Sequence, residues 1–443
     1  MDKLTKIENR YNLHKLKSWQ LLRNPYYFYI DNDKLGVSNS QTYNSKFNKS
    51  KLYIKNLFFG FRNWFRSYDY IIFDTSDNYK KIEFLHLNRF TEEISVNLDK
   101  KNILYIQIFT STISDIKYNR NDYIVSSSII TIMAKIISKL FILKDYDVYE
   151  QIKINENIKL NFESIYQTLI SRTFITKLIL KVYKPKMVFI TSFSKTPEFL
   201  AAKQLNIKTV EIQHGISDIL PYKNTDIQLQ PNYMFVFGSN DKNILQNSGY
   251  IKNRDNIFIV GSYVLEKTKE SNILDKYKNG YEKIVSISIQ DIIIEETKLF
   301  IDSVAKYLPS ILFIFIPRSI NINVKRLSDN IITIDDINCL DIVVNSHWHI
   351  TVFSTCAFES ASLGIPNIFW NYKNFSKIYF QDYIDSKDYN FMVDTKDELI
   401  EILNKDYTFD KSDIIDKNSD YYMSGYSQNI KSALSILDNK GLV

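Results

Sequence analysis

Residues 349–366, "HITVFSTCAFESASLGIP", run together a short apolar strand, a polar turn, a helix with one carboxylate and a Gly-x-Pro stop. Ile350, Val352 and Phe353 read as the strand. Ser354 and Thr355 are placed to cap the helix, Glu359 falls about one turn inside it, and Gly364 and Pro366 close it. At such a junction the first backbone N–H groups have no intrahelical partner, so they and the two hydroxyls face an anionic ligand. An ordinary capped helix of an α/β protein carries the same caps. Glu359 separates the two readings: it sits among Ala357, Phe358, Ala361 and Leu363, where an unpaired carboxylate is costly, and a ribose diol is a natural partner.

Outward from this stretch, short apolar strands alternate with helical segments through most of the chain, the pattern of an α/β protein. In the first half 68–76, 102–109, 186–192, 207–215, 233–239 and 256–262 read as strands, with a mainly helical region up to about 183 and a helix over 196–205. In the second half 283–290, 311–319 and 330–336 read as strands, with helices over 295–307 and 337–345. Residues 366–371 are expected to be the last strand, and 421–438 a terminal helix. The polar, weakly periodic stretch 263–281 divides the series into an N-terminal domain (1–262) and a C-terminal domain (263–443), with the terminal helix packing back on the first. The expected architecture is two Rossmann-like domains facing a cleft, and in such sheets ligands lie beyond the carboxyl ends of the strands.

The chain has 443 residues, enough for two domains of about 200 residues each. Its formal charge of +6 is modest and its cations are interspersed with acids, so nucleic acid is not an expected partner. Cys339 and Cys356 lack metal-ligand spacing and read as core residues in a reducing compartment. With no long apolar run and no apolar secretory core at the N-terminus, the expected location is the cytoplasm. Residues 46–66, "KFNKSKLYIKNLFFGFRNWFR", interleave cations with aromatic side chains. They read either as a helix packed on the domain or as a contact with the anionic inner face of the plasma membrane.

Four groups of polar residues follow strands directly. In "EIQHGIS" (211–217) Gln213 and His214 end a strand at a Gly215 turn, and an imidazole projecting there can take a proton from an attacking hydroxyl. In "FIPRS" (315–319) Arg318 follows Pro317 and is suited to a two-pronged phosphate contact. Ser286, Ser288 and Gln290 lie at the end of the first strand of the second half, where they can contact phosphate. Asp74, Ser76 and Asp77 follow the first strand and can line an acceptor side. His347 and His349 share a strand face, yet no Cys, Asp or Glu nearby completes a metal set, and His349 reads as facing a nucleotide. The pairs Asp335–Asp336 and Glu295–Glu296 read as helix-start charges. Neither a Walker loop nor GxGxxG occurs, which argues against an NTPase or a dinucleotide dehydrogenase.

On "EIQHGIS", "FIPRS" and "HITVFSTCAFESASLGIP", in that order, the chain resembles a GT-B glycosyltransferase of the kind that builds bacterial capsule or lipopolysaccharide. The resemblance spans about residues 68–440, though "IPRS" stands where related enzymes carry a "KPHP"-like string. It implies that the second domain binds a nucleotide-sugar donor and the first a glycan or lipid-linked glycan acceptor. Glu359 would hold the ribose hydroxyls, and Ser354, Thr355, Arg318, His349, Ser288 and Gln290 would surround the donor. His214 would be the catalytic base, with Asp74, Ser76 and Gln213 on the acceptor side. The implied reaction is inverting transfer without a metal or other cofactor, the helix N-terminus and Arg318 stabilising the departing nucleotide. UDP and CMP donors stay open, as do a CDP-polyol phosphotransferase, a nucleotide-sugar 2-epimerase-like enzyme and a non-catalytic nucleotide-sugar-binding scaffold.

Overall fold

A computed structural model describes the chain except for residues 1–2, 35–51, 83–84, 110–122, 216–221, 223–225, 227–228, 252, 279, 318–326, 335–336 and 442–443. Its strands in chain order are β1 (Tyr70–Thr75), β2 (Tyr79–Ile82), β3 (Leu85–Asn88), β4 (Ile103–Ile108), β5 (Ile124–Ser126), β6 (Met187–Thr191), β7 (Lys208–Ile212), β8 (Tyr233–Val236) and β9 (Ile257–Ile259). They continue as β10 (Lys283–Ser288), β11 (Ile311–Ile316), β12 (Ile331–Thr333), β13 (Trp348–Thr351), β14 (Asn367–Trp370) and β15 (Asn390–Val393). Seven strands form one sheet in the order β5-β4-β1-β6-β7-β8-β9, and six form another in the order β12-β11-β10-β13-β14-β15. The paired strands of both are parallel. β2 and β3 make a separate pair.

Parallel strands covered on both faces read as unbroken apolar runs rather than alternations. β11, "ILFIFI", is buried at every position, as is β6, "MVFIT". One face of the first sheet is covered by the helices Ser128–Ile137, Phe162–Tyr183 and Thr196–Gln204 around a core that includes Phe73, Ile106, Val188, Ile190 and Phe199. The helix Phe162–Tyr183 begins where Asn161 accepts from the Ser164 N–H at 2.9 Å and ends at Lys184 (φ 47), just ahead of Pro185. In the second sheet Phe300 of the helix Ile294–Ala305 stacks flat on Trp370 of β14, ring centroids 4.1 Å apart.

Several elements depart from the sequence reading, the added pair β2 and β3 among them. β14 is not the last strand: β15 pairs beside it, an edge strand whose "NFMV" is only half-buried at its two central residues. β5 lies in the region read as mainly helical, its "IVS" running almost directly into the helix Ser128–Ile137. The strand opening the decisive stretch is Trp348–Thr351, not 350–353, and its helix is the seven-residue Cys356–Ser362.

The chain divides into two compact units. The first comprises Met1–Lys80, Phe84–Val260 and Ser427–Val443, the second Lys81–Glu83 and Gly261–Tyr426. The helix Tyr426–Asn439 buries Ile430, Ala433, Leu434 and Leu437, and Asn429 donates to the Val260 carbonyl at 3.4 Å. In each sheet the chain runs outward in one direction and then in the other. The order therefore reverses between β1 and β6 in the first sheet and between β10 and β13 in the second. At these two reversals the loops leave in opposite directions and open a crevice beyond the strand ends.

Candidate functional site

At the reversal in the second sheet, the ends of β10 and β13 meet through one hydroxyl. Thr351 Oγ1 lies 3.0 Å from Ser288 Oγ, 3.4 Å from Gln290 Nε2 and 3.3 Å from the Ser354 N–H. Ser288, Gln290 and Ser354 are therefore brought together, as the strand-end positions predicted. Thr351 was missed, although a threonine closing a strand before "FST" is the signal that would have found it. Gln290 is buried, and its Oε1 has no hydrogen-bond partner among the described residues. A buried amide oxygen left unpaired costs about 1–3 kcal/mol, so this atom is suited to accept from a ligand. Ser354 Oγ accepts from the Cys356 N–H at 3.3 Å and is the helix cap, whereas Thr355 is already helical (φ −63) and caps nothing with its side chain. Thr355 and Glu359 are half-buried, within reach of solvent.

His349 is corrected. It lies wholly inside the second unit, Nδ1 2.9 Å from Asn367 Oδ1 and Nε2 3.0 Å from Ser288 Oγ, so both nitrogens are taken and neither meets a nucleotide. A central parallel strand has two interior faces, which is why a polar residue within it points to protein rather than to a crevice. Burial holds this imidazole below its ordinary pKa. The unfolded chain takes up a proton there below about pH 6.5 while the folded chain resists it, so stability is full above that pH and falls as the pH drops through it. In a His349→Gln chain that part of the slope, at most about 1.4 kcal/mol per pH unit, is expected to vanish. Urea midpoints above and below the imidazole range measure it.

In the first unit the reversal between β1 and β6 carries Asp74 and Thr191. Asp74 is also corrected: it is fully buried and accepts from Asn78 Nδ2, Asn88 Nδ2 and, at 2.9 Å, Thr191 Oγ1, so it braces the fold instead of meeting an acceptor. The turn Ser76–Asn78 and the β3 residue Asn88 fold over the strand end, and Ser76 is buried with them. Lys195 Nζ donates to both Thr191 oxygens, and burial pushes its pKa down to about 8. Glu211 of β7 accepts from Tyr250 OH at 2.6 Å, and burial pushes its carboxyl up to about 8. No motif marks either residue: Tyr250 finds Glu211 39 positions away, and the burial that perturbs Lys195 comes from the folded sheet rather than from its near neighbour Thr191.

β7 ends at Ile212, and the following residues present His214 to solvent. Gln213 is buried: its Nε2 donates to the Gly215 carbonyl at 2.7 Å and its Oε1 accepts from the Phe237 N–H at 2.8 Å. It is corrected from an acceptor contact to the clamp of the turn. Gly215 is not what allows that turn, because its φ is not positive and a Cβ there would meet nothing within 4 Å. The His214 ring lies 5.3 Å from that of Phe90, and the Arg89 guanidinium sits 4.4 Å over the other ring-mate of the pair, Phe90 itself. Arg89 Nε is buried without a hydrogen-bond partner among the described residues.

Arg318 and the pair Asp335–Asp336 lie outside the described residues, as does 46–51 of the basic aromatic segment. Cys339 and Cys356 are half-buried rather than core. Among the described residues no group of three His, Cys, Asp or Glu side chains is arranged to hold a metal, and no helix is long and apolar enough to cross a membrane.

No family model matches the sequence, and no curated protein matches it. Solved structures do match the fold. The UDP-GlcNAc 2-epimerase of Methanocaldococcus jannaschii superposes with a TM-score of 0.51 at 15% identity, over 84% of this chain and 99% of that one. MnaA of S. aureus, in a co-structure with UDP, gives 0.51 at 13% identity over 85% and 98%. The glycotransferase of kitacinnamycin gives 0.50 at 10% identity over 85% and 100%. With its parallel sheets of seven and six strands, this chain is similar to these proteins in fold, and that fold is the α/β architecture of the GT-B class.

Proposed function

We propose that the protein is an inverting glycosyltransferase that moves a sugar from a nucleotide-linked donor to a hydroxyl of a growing surface glycan. The observation that carries this reading is the solvent-facing His214 at the carboxyl end of β7, on a turn clamped by Gln213, while His349 is sealed inside. His214 takes the proton of the acceptor hydroxyl as its oxygen attacks the anomeric carbon; the bond to the nucleotide phosphate breaks, and the configuration inverts. In the second unit Glu359 holds the ribose, and Ser288, Gln290, Ser354, Thr355 and Arg318 receive the rest of the donor. UDP is a reasonable first donor nucleotide, since one matching fold was solved with UDP.

A second reading, a nucleotide-sugar 2-epimerase, draws on the fold likeness as strongly, and the paired perturbation of Lys195 and Glu211 is the kind seen around acid–base chemistry. Thermal shift against UDP-, CMP-, GDP- and CDP-linked sugars identifies the nucleotide, since a ligand at a hundred times its Kd stabilises the fold by about 2.7 kcal/mol. Glu359→Ala is expected to weaken that ligand about tenfold, the loss of one or two hydrogen bonds to a charged group. Donor consumed only in the presence of a glycan acceptor supports transfer. Isomerisation of the free donor sugar without acceptor replaces transfer with epimerisation, and no nucleotide response at all removes both.

A further inference from the structure

The aromatic segment near the N-terminus divides in two in the folded chain. Trp64 turns inward against the core of the first unit, 6.3 Å from Tyr183, whose hydroxyl donates to the Trp64 carbonyl at 2.5 Å. Phe58, Phe61 and Phe65 turn outward, touching one another at 6.2 and 5.2 Å, with Phe58 and Phe65 73% and 75% exposed. The segment is fastened to edge strand β5: the Ser126 N–H donates to the Phe59 carbonyl at 3.3 Å and Asn63 Nδ2 donates to the Ile124 carbonyl at 3.1 Å. Gly60 (φ 67) lies so close that a Cβ would come within 1.8 Å of the Ile124 oxygen. The outward rings are thus held in place by backbone contacts, independently of any contact of their own with the core.

Two helices beside it repeat the feature. Ser128–Ile137 and Phe162–Tyr183 lie on the same face of the first sheet, so the sides they turn away from the core look out together. Those sides carry Met133, Ile136 and the following Leu140 on one, and Phe174, Leu178 and Val182 on the other, each set at helical spacing and each exposed. Phe141 and Phe174 touch across them at 6.2 Å. Ordinary soluble surfaces scatter such residues singly. The charges here are of one sign: residues 52–68, 128–144 and 164–186 contain no Asp or Glu, while Lys55, Arg62, Lys135, Lys139, Lys181 and Lys184 lie on them. Of the acids that bound these stretches, Asp69, Asp145 and Glu163, Asp69 pairs with Lys186 at 3.2 Å.

We propose that this composite face of the first unit docks on an anionic lipid bilayer surface. Exposed aromatic and aliphatic side chains enter the headgroup boundary while the surrounding cations meet the lipid phosphates, the two signals that together hold a protein on a membrane. Another protein would need acidic, matching relief to cover an acid-free face. A fluid anionic surface needs only the charge and the apolar insertion. The inference does not depend on the reaction proposed above.

Vesicle flotation of the full chain tests it. Binding is expected to phosphatidylcholine vesicles containing phosphatidylglycerol, to be absent with phosphatidylcholine alone, and to weaken at high salt. Ile136→Asp/Val182→Asp replaces side chains 74% and 78% exposed and is expected to lower partitioning at least tenfold. Lys135→Glu/Lys181→Glu, which disturbs no core contact, is expected to lower it about fivefold per cation removed. Ile378→Asp, exposed on the second unit, should leave binding unchanged. The proposal is overturned if the chain does not float with anionic vesicles, or if neither pair changes its flotation. It is equally overturned if sedimentation shows a dimer that Ile136→Asp/Val182→Asp dissociates while vesicles are ignored.

Discussion

An Asp74→Ala chain is expected to lose about 2–6 kcal/mol of stability, about 1–3 kcal/mol for each of two buried amide donors left without their acceptor. The carboxylate is fully buried and is the common acceptor for Asn78, Asn88 and Thr191, so its removal takes the acceptor from two buried amide groups and leaves Thr191 only the Phe73 carbonyl at 3.3 Å. The effect does not stop at the strand end. Asn88 Oδ1 accepts the backbone N–H groups of Phe90 and Thr91 at 3.0 and 3.1 Å, and Phe90 is the ring against His214. Releasing Asn88 therefore loosens the turn beside the proposed base. Asp74→Asn should fall between the two, since one oxygen survives while the other becomes a donor facing a donor. Urea unfolding of the three chains measures the ordering, and equal midpoints for Asp74→Ala and the parent would refute the bracing role.

His214→Ala is expected to lower turnover by about 10²–10⁴-fold, the usual worth of a positioned general base, while leaving nucleotide affinity and the unfolding midpoint near those of the parent. The side chain is exposed and the turn beneath it is held by Gln213, so truncation removes chemistry rather than structure. Gln213→Ala should act through position: it frees the Phe237 N–H and the Gly215 carbonyl, and is expected to cost both stability and turnover. Parent-like turnover of His214→Ala in a saturating acceptor assay would remove the base assignment and leave the donor site standing.

The strands were legible because parallel sheets write themselves as apolar runs: "ILFIFI" and "MVFIT" admit no other reading. Edge strands β5 and β15 were not: the "IVS" of β5 runs almost directly into the helix Ser128–Ile137, and β15 is only half-buried at its two central residues. The strand-end rule located Ser288, Gln290, Ser354 and His214, which the fold places at or just beyond the ends of β10, β13 and β7. It failed where polarity at a strand end serves the interior. Asp74, Gln213 and His349 each have at least one partner in another segment, Asn88, Phe237 and Ser288 respectively, and local spacing does not reveal such a partner. Lys195 and Arg89 were hidden differently: their partners, Thr191 and Phe90, are near in sequence, but their burial is a property of the folded sheet.

The closing stretch of the chain belongs to the first unit, where Leu434 and Leu437 are buried and Lys440 lies 5.3 Å over the Tyr233 ring. Everything from Gly261 to Tyr426 intervenes. A ribosome that releases domains in sequence, N-terminal first, can offer the second unit a complete set of its main residues before the first has received its final helix. Until then the seat of Ile430, Ala433, Leu434 and Leu437 stands open beside β8 and β9, a nascent apolar surface for chaperones to guard, and the unit that begins first is finished last.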